Sequence, residues 1–445
     1  MMCSPAGCPR KSTRSRPCSP GAAIRSANQS SRPGVNPTMT RAAAERLQPF
    51  DTDVMIVGGG MVGGVLARAL SADGWSVEVI EPRRPDESAS FDRRLTAVAD
   101  AGWQYLDTLG LIDAPLAAAA ERIREVRVFD RGHFGLTRIT ARSAGVEALG
   151  YVMPNQALGE RLESLLAEPP TGEGSVRYHR PACYRQHATD ADGVTVEIHH
   201  DDHGTLNRRA RLVVAADGAE SAVRERTDMA VTRREYGQVA TVATGMPARP
   251  HDGVAFECFT TGGPLAVLPA AEGRVSLVWV ARRAEAERLA TLDDKAFAEA
   301  VDETFGHRLG GLSALTPRGQ YPLTLVTANE PVADRLVVLG NAAHALHPVA
   351  GQGFNLCLRD IRDLARVLRA DRGAPVDPGD PERLERYRSL RQSDYRRTIG
   401  LTDGLVRGFS LDLPGLGHLR GGTLSLFDGL LPFKNRLVRA TRGIA

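Results

Sequence analysis

The chain has 445 residues, 42% hydrophobic and 24% charged, with 45 Gly, 27 Pro, 6 Cys and a formal net charge of +3. That length accommodates two or three domains with a sizeable core, and the composition excludes wholesale disorder, collagen-like repeats and a disulfide scaffold. No apolar run approaches the ~18–20 residues of a membrane-crossing helix, which excludes integral helical membrane classes.

The charge is unevenly spread. Residues 1–38 hold six basic residues (Arg10, Lys11, Arg14, Arg16, Arg25, Arg32), no acid, six prolines and Cys3, Cys8 and Cys18. Such a segment cannot bury a core and is expected to be disordered. It reads either as a start-site artefact upstream of Met39 or as an organelle transit peptide, although its prolines oppose an amphipathic helix. The remaining residues carry a net charge of −3, and only Lys11, Lys295 and Lys434 are lysines. The arginines are scattered among acids, which disfavours nucleic-acid binding.

Next along the chain, residues 53–57 are an apolar, β-branched run of the kind that forms a buried parallel strand. The run enters Gly58-Gly59-Gly60-Met61-Val62-Gly63-Gly64, followed by a predicted helix over 65–72 and a strand over 75–80 that ends on Glu81. This is G-x-G-x-x-G (Gly58, Gly60, Gly63) inside a strand–helix–strand unit. Gly58 permits the tight turn, Gly60 lets the backbone approach a pyrophosphate and Gly63 permits close helix–strand packing. The helix N-terminus offers unpaired N–H groups to phosphates, and Glu81 can accept from a ribose hydroxyl. The motif predicts a dinucleotide site without choosing between NAD and FAD.

Residues 194–198 and 211–215 read as strands, so His199, His200 and His203 between them are expected in a hairpin rather than a metal site. The second run ends in Asp217-Gly218-Ala219-Glu220-Ser221, with Arg224 one turn on. Residues 235–332 alternate as a half-buried sheet does, as in Arg274-Val275-Ser276-Leu277-Val278-Trp279-Val280. Residues 336–339 form a further strand, ending in Gly340-Asn341-Ala342-Ala343-His344-Ala345-Leu346-His347-Pro348. Gly351-Gln352-Gly353-Phe354-Asn355 then opens an amphipathic helix. His344 and His347 are three apart, but no third ligand has a suitable spacing, and no metal is expected. Three glycine turns at strand ends, spread over roughly 300 residues, imply one long ligand laid across one domain.

This set resembles the FAD-dependent aromatic hydroxylases, single-component flavin monooxygenases related to para-hydroxybenzoate hydroxylase. Asp217, Gly218, Ser221 and Arg224 match the family's second motif, and Gly340, Pro348, Gly351, Gly353 and Asn355 match its third. Asn341 replaces an Asp that accepts from a ribityl hydroxyl, a role its carbonyl oxygen can fill. Gly-Asn-Ala-Ala with the following Leu-His-Pro is similar to the ubiquinone-biosynthesis branch, of the 2-polyprenyl-6-methoxyphenol hydroxylase type. Asp92-Arg93-Arg94, with Arg94 near the flavin, resembles that branch, as does the segment from Gly150 to Asn155 before a flavin-contacting helix. Glu257-Cys258-Phe259, 263–269 and 321–323 resemble its substrate sheet, and 402–403, 409–410 and 433–434 its C-terminal helices.

The resemblance implies an α/β (α+β) fold: a Rossmann-type FAD-binding domain over 51–233 and 335–400, interrupted by a mainly antiparallel substrate-binding sheet over 235–332. Residues 401–445 would form a C-terminal helical segment. It implies cofactor contacts from Gly58, Gly60, Gly63, Glu81, Arg94, Asn155, Asp217, Gly218, Gly340, Asn341, Gly353 and Asn355. His347, Pro348 and Gly351 would lie at the reactive edge, with His347 the candidate general base by position. FAD would be reduced by a transiently bound NAD(P)H, since only one dinucleotide fingerprint exists. A C4a-hydroperoxide would then hydroxylate a polyprenylated methoxyphenol on the way to ubiquinone. The other expected partners are O2, a multiprotein ubiquinone-synthesis complex or a second copy of the chain. The cytoplasm is the expected location, with peripheral contact at the inner membrane face. Residues 424–436 read equally as an amphipathic surface element or as a packed helix. A sister hydroxylase acting at another ring position, a reducing or halogenating flavoenzyme (without the Trp-x-Trp-x-Ile-Pro pattern) and a non-catalytic assembly subunit stay open.

Overall fold

In the strand Thr52–Val57, Val54 and Ile56 feed one apolar cluster while Met55 and Val57 feed another, so both faces are covered. That is the environment of a central parallel strand. The computed structural model describes residues 50–84, 94–132, 135–167, 174–346, 351–369 and 376–410. Thr52–Val57 pairs in parallel with Ser76–Ile80 and with Gly204–Ala215. Ser175–His179 adds beyond the first of these and Leu336–Val338 beyond the second, also in parallel. Helices Met61–Ala72, Asn155–Ala167 and Gln352–Leu368 contribute Val65, Leu66, Leu158, Ile361 and Leu364 to one face. The antiparallel pair Ala182–Thr189 and Val194–His200 supplies Val194, Val196 and Ile198 to the other. His200 lies opposite Gly204 at the end of a hairpin, as the alternation implied.

A second sheet of nine strands among the described residues is mainly antiparallel. The 17-residue strand Val231–Pro247 is its spine, pairing with Val275–Arg282 and Gly319–Ala328. Gly263–Pro269 and Val254–Thr260 extend it in turn. The sheet also takes in Glu125–Asp130, parallel to Val254–Thr260, and Leu136–Thr140, both outside the 235–332 stretch. One face is covered by helix Asp294–Phe305, whose Phe297, Val301 and Phe305 pack on Leu265, Leu277 and Trp279. Each such buried side chain contributes about 1.5–3 kcal/mol relative to exposure. That helix is framed by its caps: Asp293 accepts from the Ala296 N–H at 2.7 Å, and Gly306 closes it at φ +71°.

A small antiparallel sheet of Leu95–Ala99, Gly150–Pro154 and Glu121–Ile123 links the two. Its Ile123 and Val152, with Leu95 and Ala97 beside them, pack on Ala255, Val126 and Leu268 of the second sheet. A 30-residue helix, Pro381–Ser410, lies against Gln352–Leu368 and runs through the 400/401 boundary expected from sequence. Residues 1–38 and the 424–436 stretch lie outside the described residues. Among those described, no helix is long and apolar enough to cross a membrane.

Candidate functional site

The carboxyl ends of the central parallel strands carry all three glycine turns. Gly58 leaves Thr52–Val57 at φ +102°, and a Cβ there would lie 2.5 Å from the Ala216 carbonyl oxygen. A Cβ on Gly63 would overlap the Gly58 carbonyl oxygen. These two positions therefore tolerate only glycine, for backbone reasons. Gly60 differs: it caps helix Met61–Ala72, and a Cβ there would meet nothing within 4 Å. Gly64 N–H is paired with the Gly60 oxygen at 2.7 Å, and no acid occupies the first turn. The first helical N–H groups therefore face open space beside Gly60, the geometry an anionic pyrophosphate needs.

Glu81 braces this turn. Its Oε2 accepts from the Gly59 N–H at 2.8 Å and its Oε1 from the Arg83 N–H at 3.1 Å. A carboxylate has about four acceptor sites, so capacity remains for a ribose.

At the end of Gly204–Ala215, Asp217 Oδ2 accepts from Val223 N–H at 3.3 Å, while Oδ1 is buried without a partner among the described residues. A buried carboxylate oxygen left in that state costs free energy until a donor arrives. Gly218 follows at φ +89°. Arg224, 2% exposed, donates to the carbonyls of Ala342 and Ala219, both at 2.7 Å. It thereby ties the second motif to the third.

The third turn begins at Gly340 (φ +62°), where a Cβ would lie 2.9 Å from Val62 of the first helix. Asn341 is exposed beside it. Gly351 (φ +60°) caps Gln352–Leu368, and at Gly353 a Cβ would meet nothing within 4 Å. Asn355 Oδ1 accepts from Ala99 N–H at 2.8 Å, and its amide donates to Ala97 and Gly351 carbonyls at 3.1 and 2.7 Å. Both amide protons are spent inside the protein, so Asn355 staples the loop to Leu95–Ala99. Asn155 is likewise engaged, accepting from Thr96 Oγ1 at 2.5 Å. Arg94, just before that strand, places its guanidinium 4.7 Å over the Tyr321 ring. His347 and Pro348, like Asp92 and Arg93, lie outside the described residues.

Sequence reasoning missed one feature behind the third turn. His344 Nε2 meets Asp360 Oδ2 at 2.5 Å, both fully buried, and Asp360 Oδ1 accepts from Arg391 and Tyr395. Arg391 also donates to Asp363 and Asp394, and Arg359 shares Asp394. Burial opposes ionisation of Asp360, yet the charges on His344 and Arg391 hold its carboxyl below the usual range. The spacing His344, Asp360, Arg391 carries no local signal that could have revealed it.

The residues present suit a flavin dinucleotide: open space at Gly60 and Gly353, free helix N–H groups and an unmatched Asp217 oxygen along one sheet end. The profile of the FAD binding domain family matches residues 51–399. The chain belongs to this FAD-binding family. The ubiquinone hydroxylase UbiL of Rhodospirillum rubrum is 38% identical over 393 residues, covering 88% of this chain and 89% of that protein. The 3-demethoxyubiquinol 3-hydroxylase of Escherichia coli is 31% identical, covering 83% and 93% respectively. Among solved structures, p-nitrophenol 4-monooxygenase of Pseudomonas putida shares the fold, with a TM-score of 0.69 at 19% identity over 88% of this chain and 98% of that one. FAD is the cofactor, and the activity is that of an FAD-dependent aromatic hydroxylase, a class that typically draws electrons from NAD(P)H.

Proposed function

We propose that this hydroxylase acts on the ring of a polyprenylated methoxyphenol in ubiquinone biosynthesis. The observation that carries the reading is the similarity to the Rhodospirillum rubrum ubiquinone hydroxylase over 88% of the chain. When bound, FAD supplies the oxygen-transfer chemistry that a phenol and O2 lack between themselves. The chain's own residues hold and orient it. Gly60 and the helix N-terminus behind it would take the pyrophosphate, Glu81 a ribose hydroxyl, and Asp217 Oδ1 a donor from the cofactor. Asn341 would accept from the ribityl chain. Asn355 and Arg224 would act one step back, fixing the loops that make those contacts. Gly351, with His347 and Pro348, would line the reactive edge.

The likeness to the Escherichia coli 3-demethoxyubiquinol 3-hydroxylase supports a second reading, in which the same machinery oxidises another ring position. A prenylated substrate partitions into the bilayer, so a cytoplasmic enzyme working at the inner membrane face is part of the proposal. The test supplies purified holoenzyme with NAD(P)H, labelled O2 and, separately, each phenol differing in ring substitution. One labelled oxygen in the ring of a methoxyphenol is expected. NAD(P)H oxidation with no labelled ring product from any of them would refute the reading.

A further inference from the structure

Glu257 lies in the middle of the second sheet, and its carboxyl has no hydrogen-bond or ion-pair partner among the described residues. Its register neighbours are Val128 on one side and Ala266 on the other, and the row continues through Val278 to Val242. All five are half-buried. The opposite face of these strands, with Cys258, Leu265 and Leu277, is the one sealed under helix Asp294–Phe305.

The Glu257 face looks toward the cofactor domain. One row away, Ala255 and Leu268 pack on the strand pair that carries Ala97 and Val152. Ala97 is also where the third glycine turn docks: a Cβ on Gly351 would lie 3.5 Å from its methyl, and Asn355 donates to its carbonyl. One row away in the other direction, Ala240 pairs with Tyr321, whose ring lies under Arg94. Glu257 therefore stands on a largely aliphatic surface between two elements of the flavin site. It keeps some contact with solvent, while burial pushes its carboxyl up to about 8. Glu257 is thus a half-buried carboxyl on the face of the sheet turned toward the cofactor domain.

An unpaired carboxyl on an apolar wall is costly unless something polar meets it. We propose that Glu257 is a catalytic residue, whose carboxylate accepts the proton of the substrate's phenolic hydroxyl as the ring is hydroxylated. This rests on the aromatic-hydroxylase activity and the phenolic substrate described above. A ring electron pair forms the new C–O bond, the phenolic O–H bond breaks toward Glu257, and the ring oxygen becomes a carbonyl. The C–H proton at the attacked carbon then leaves to solvent, its electron pair restores aromaticity, and Glu257 returns its proton to the oxygen. The inserted atom comes from O2, and the second leaves as water with two electrons from the nicotinamide donor. The aliphatic row beside Glu257 suits the ring and the start of a prenyl chain.

Other charged residues set on this side among the described residues are Arg124, Asp130 and Arg282 at strand ends and Arg94 over Tyr321. Helix Pro381–Ser410 also reaches the strands Val254–Thr260 and Gly263–Pro269. The shift of Glu257 comes from burial alone. Only the ionised form accepts a proton, so kcat/KM is expected to rise with pH through about 8.

The test compares wild type with Glu257→Gln as FAD-loaded enzymes, following product, NAD(P)H consumption and the pH profile. Glu257→Gln is expected to keep the flavin spectrum and to lower product kcat/KM by about 10²–10⁴-fold, with the limb near 8 abolished. Glu257→Asp, which keeps the charge one methylene further back, should recover part of the rate and the limb, and serves alone if the Gln variant loses FAD. A variant with wild-type turnover and an unchanged limb overturns the inference. Absence of product from wild type instead overturns the reading of the substrate.

Discussion

Arg391→Met removes the cation from the centre of the buried network behind the third glycine turn. Arg391 is 2% exposed and bonds Asp360, Asp363 and Asp394 at 2.8, 2.8 and 2.7 Å. In the variant, His344 still faces Asp360 and Arg359 still faces Asp394, so the loss is that of one partner from a buried cluster. Removing one partner of such a pair costs about 3–5 kcal/mol, because the remaining charge stays desolvated. With an unfolding entropy of about 2.1 cal/mol/K per residue over roughly 350 folded residues, Tm should fall by about 4–7 °C. Melting of apo- and holoenzyme followed by circular dichroism reads this directly. Asp360→Asn in the same chain removes a facing charge, so the double variant should recover part of the loss, as a double-mutant cycle would report. A single variant melting within about 1 °C of wild type, less than ~1 kcal/mol, would refute the claim that this cluster bears on stability.

Gly60→Val should fold, because its side chain enters open space, but FAD should no longer co-purify; full retention of flavin absorbance would move the pyrophosphate elsewhere. Asn355→Ala deletes two hydrogen bonds to the strand Leu95–Ala99 and one to Gly351 of its own loop, costing about 1–3 kcal/mol, and should weaken FAD binding in fluorescence titration without abolishing the fold. Glu78 is buried, which alone would raise its pKa, but hydrogen bonds from His179 and Arg208 lower it to about 2. Its contribution of roughly 3 kcal/mol is therefore present above about pH 4.5 and lost as pH falls toward 2. Urea midpoints measured across that window should fall steeply for wild type and less for Glu78→Gln; identical slopes would contradict the assignment.

The glycine turns were legible because each is a local pattern: an apolar strand, a glycine that must adopt positive φ or admit a neighbouring backbone, and a helix start. Gly58, Gly340 and Gly351 have that conformation, and Gly60 and Gly353 open onto free space. Roles that depend on distant partners were not legible. The Asn355 side chain bonds Ala97 and Ala99, more than 250 residues earlier, a pairing that sequence distance hides. Glu125–Asp130 joins the second sheet by pairing with Val254–Thr260, a parallel match across more than a hundred residues that no periodicity announces. Glu257 was placed in the substrate sheet from sequence, but its aliphatic neighbours became visible only with the strand register.

The helix Met61–Ala72 presents its apolar side to Gln352–Leu368, made roughly 300 residues later. During synthesis at about 5–20 residues per second, that surface waits ~15–60 s for its permanent cover. The nascent chain must keep it from premature association throughout, and the three turns cannot close around FAD until Gln352–Leu368 has left the ribosome. Cofactor capture is thus a late event in the life of each molecule. Chains cut short before that helix would be apoproteins bearing an uncovered apolar face, recognisable to proteases and chaperones by that surface.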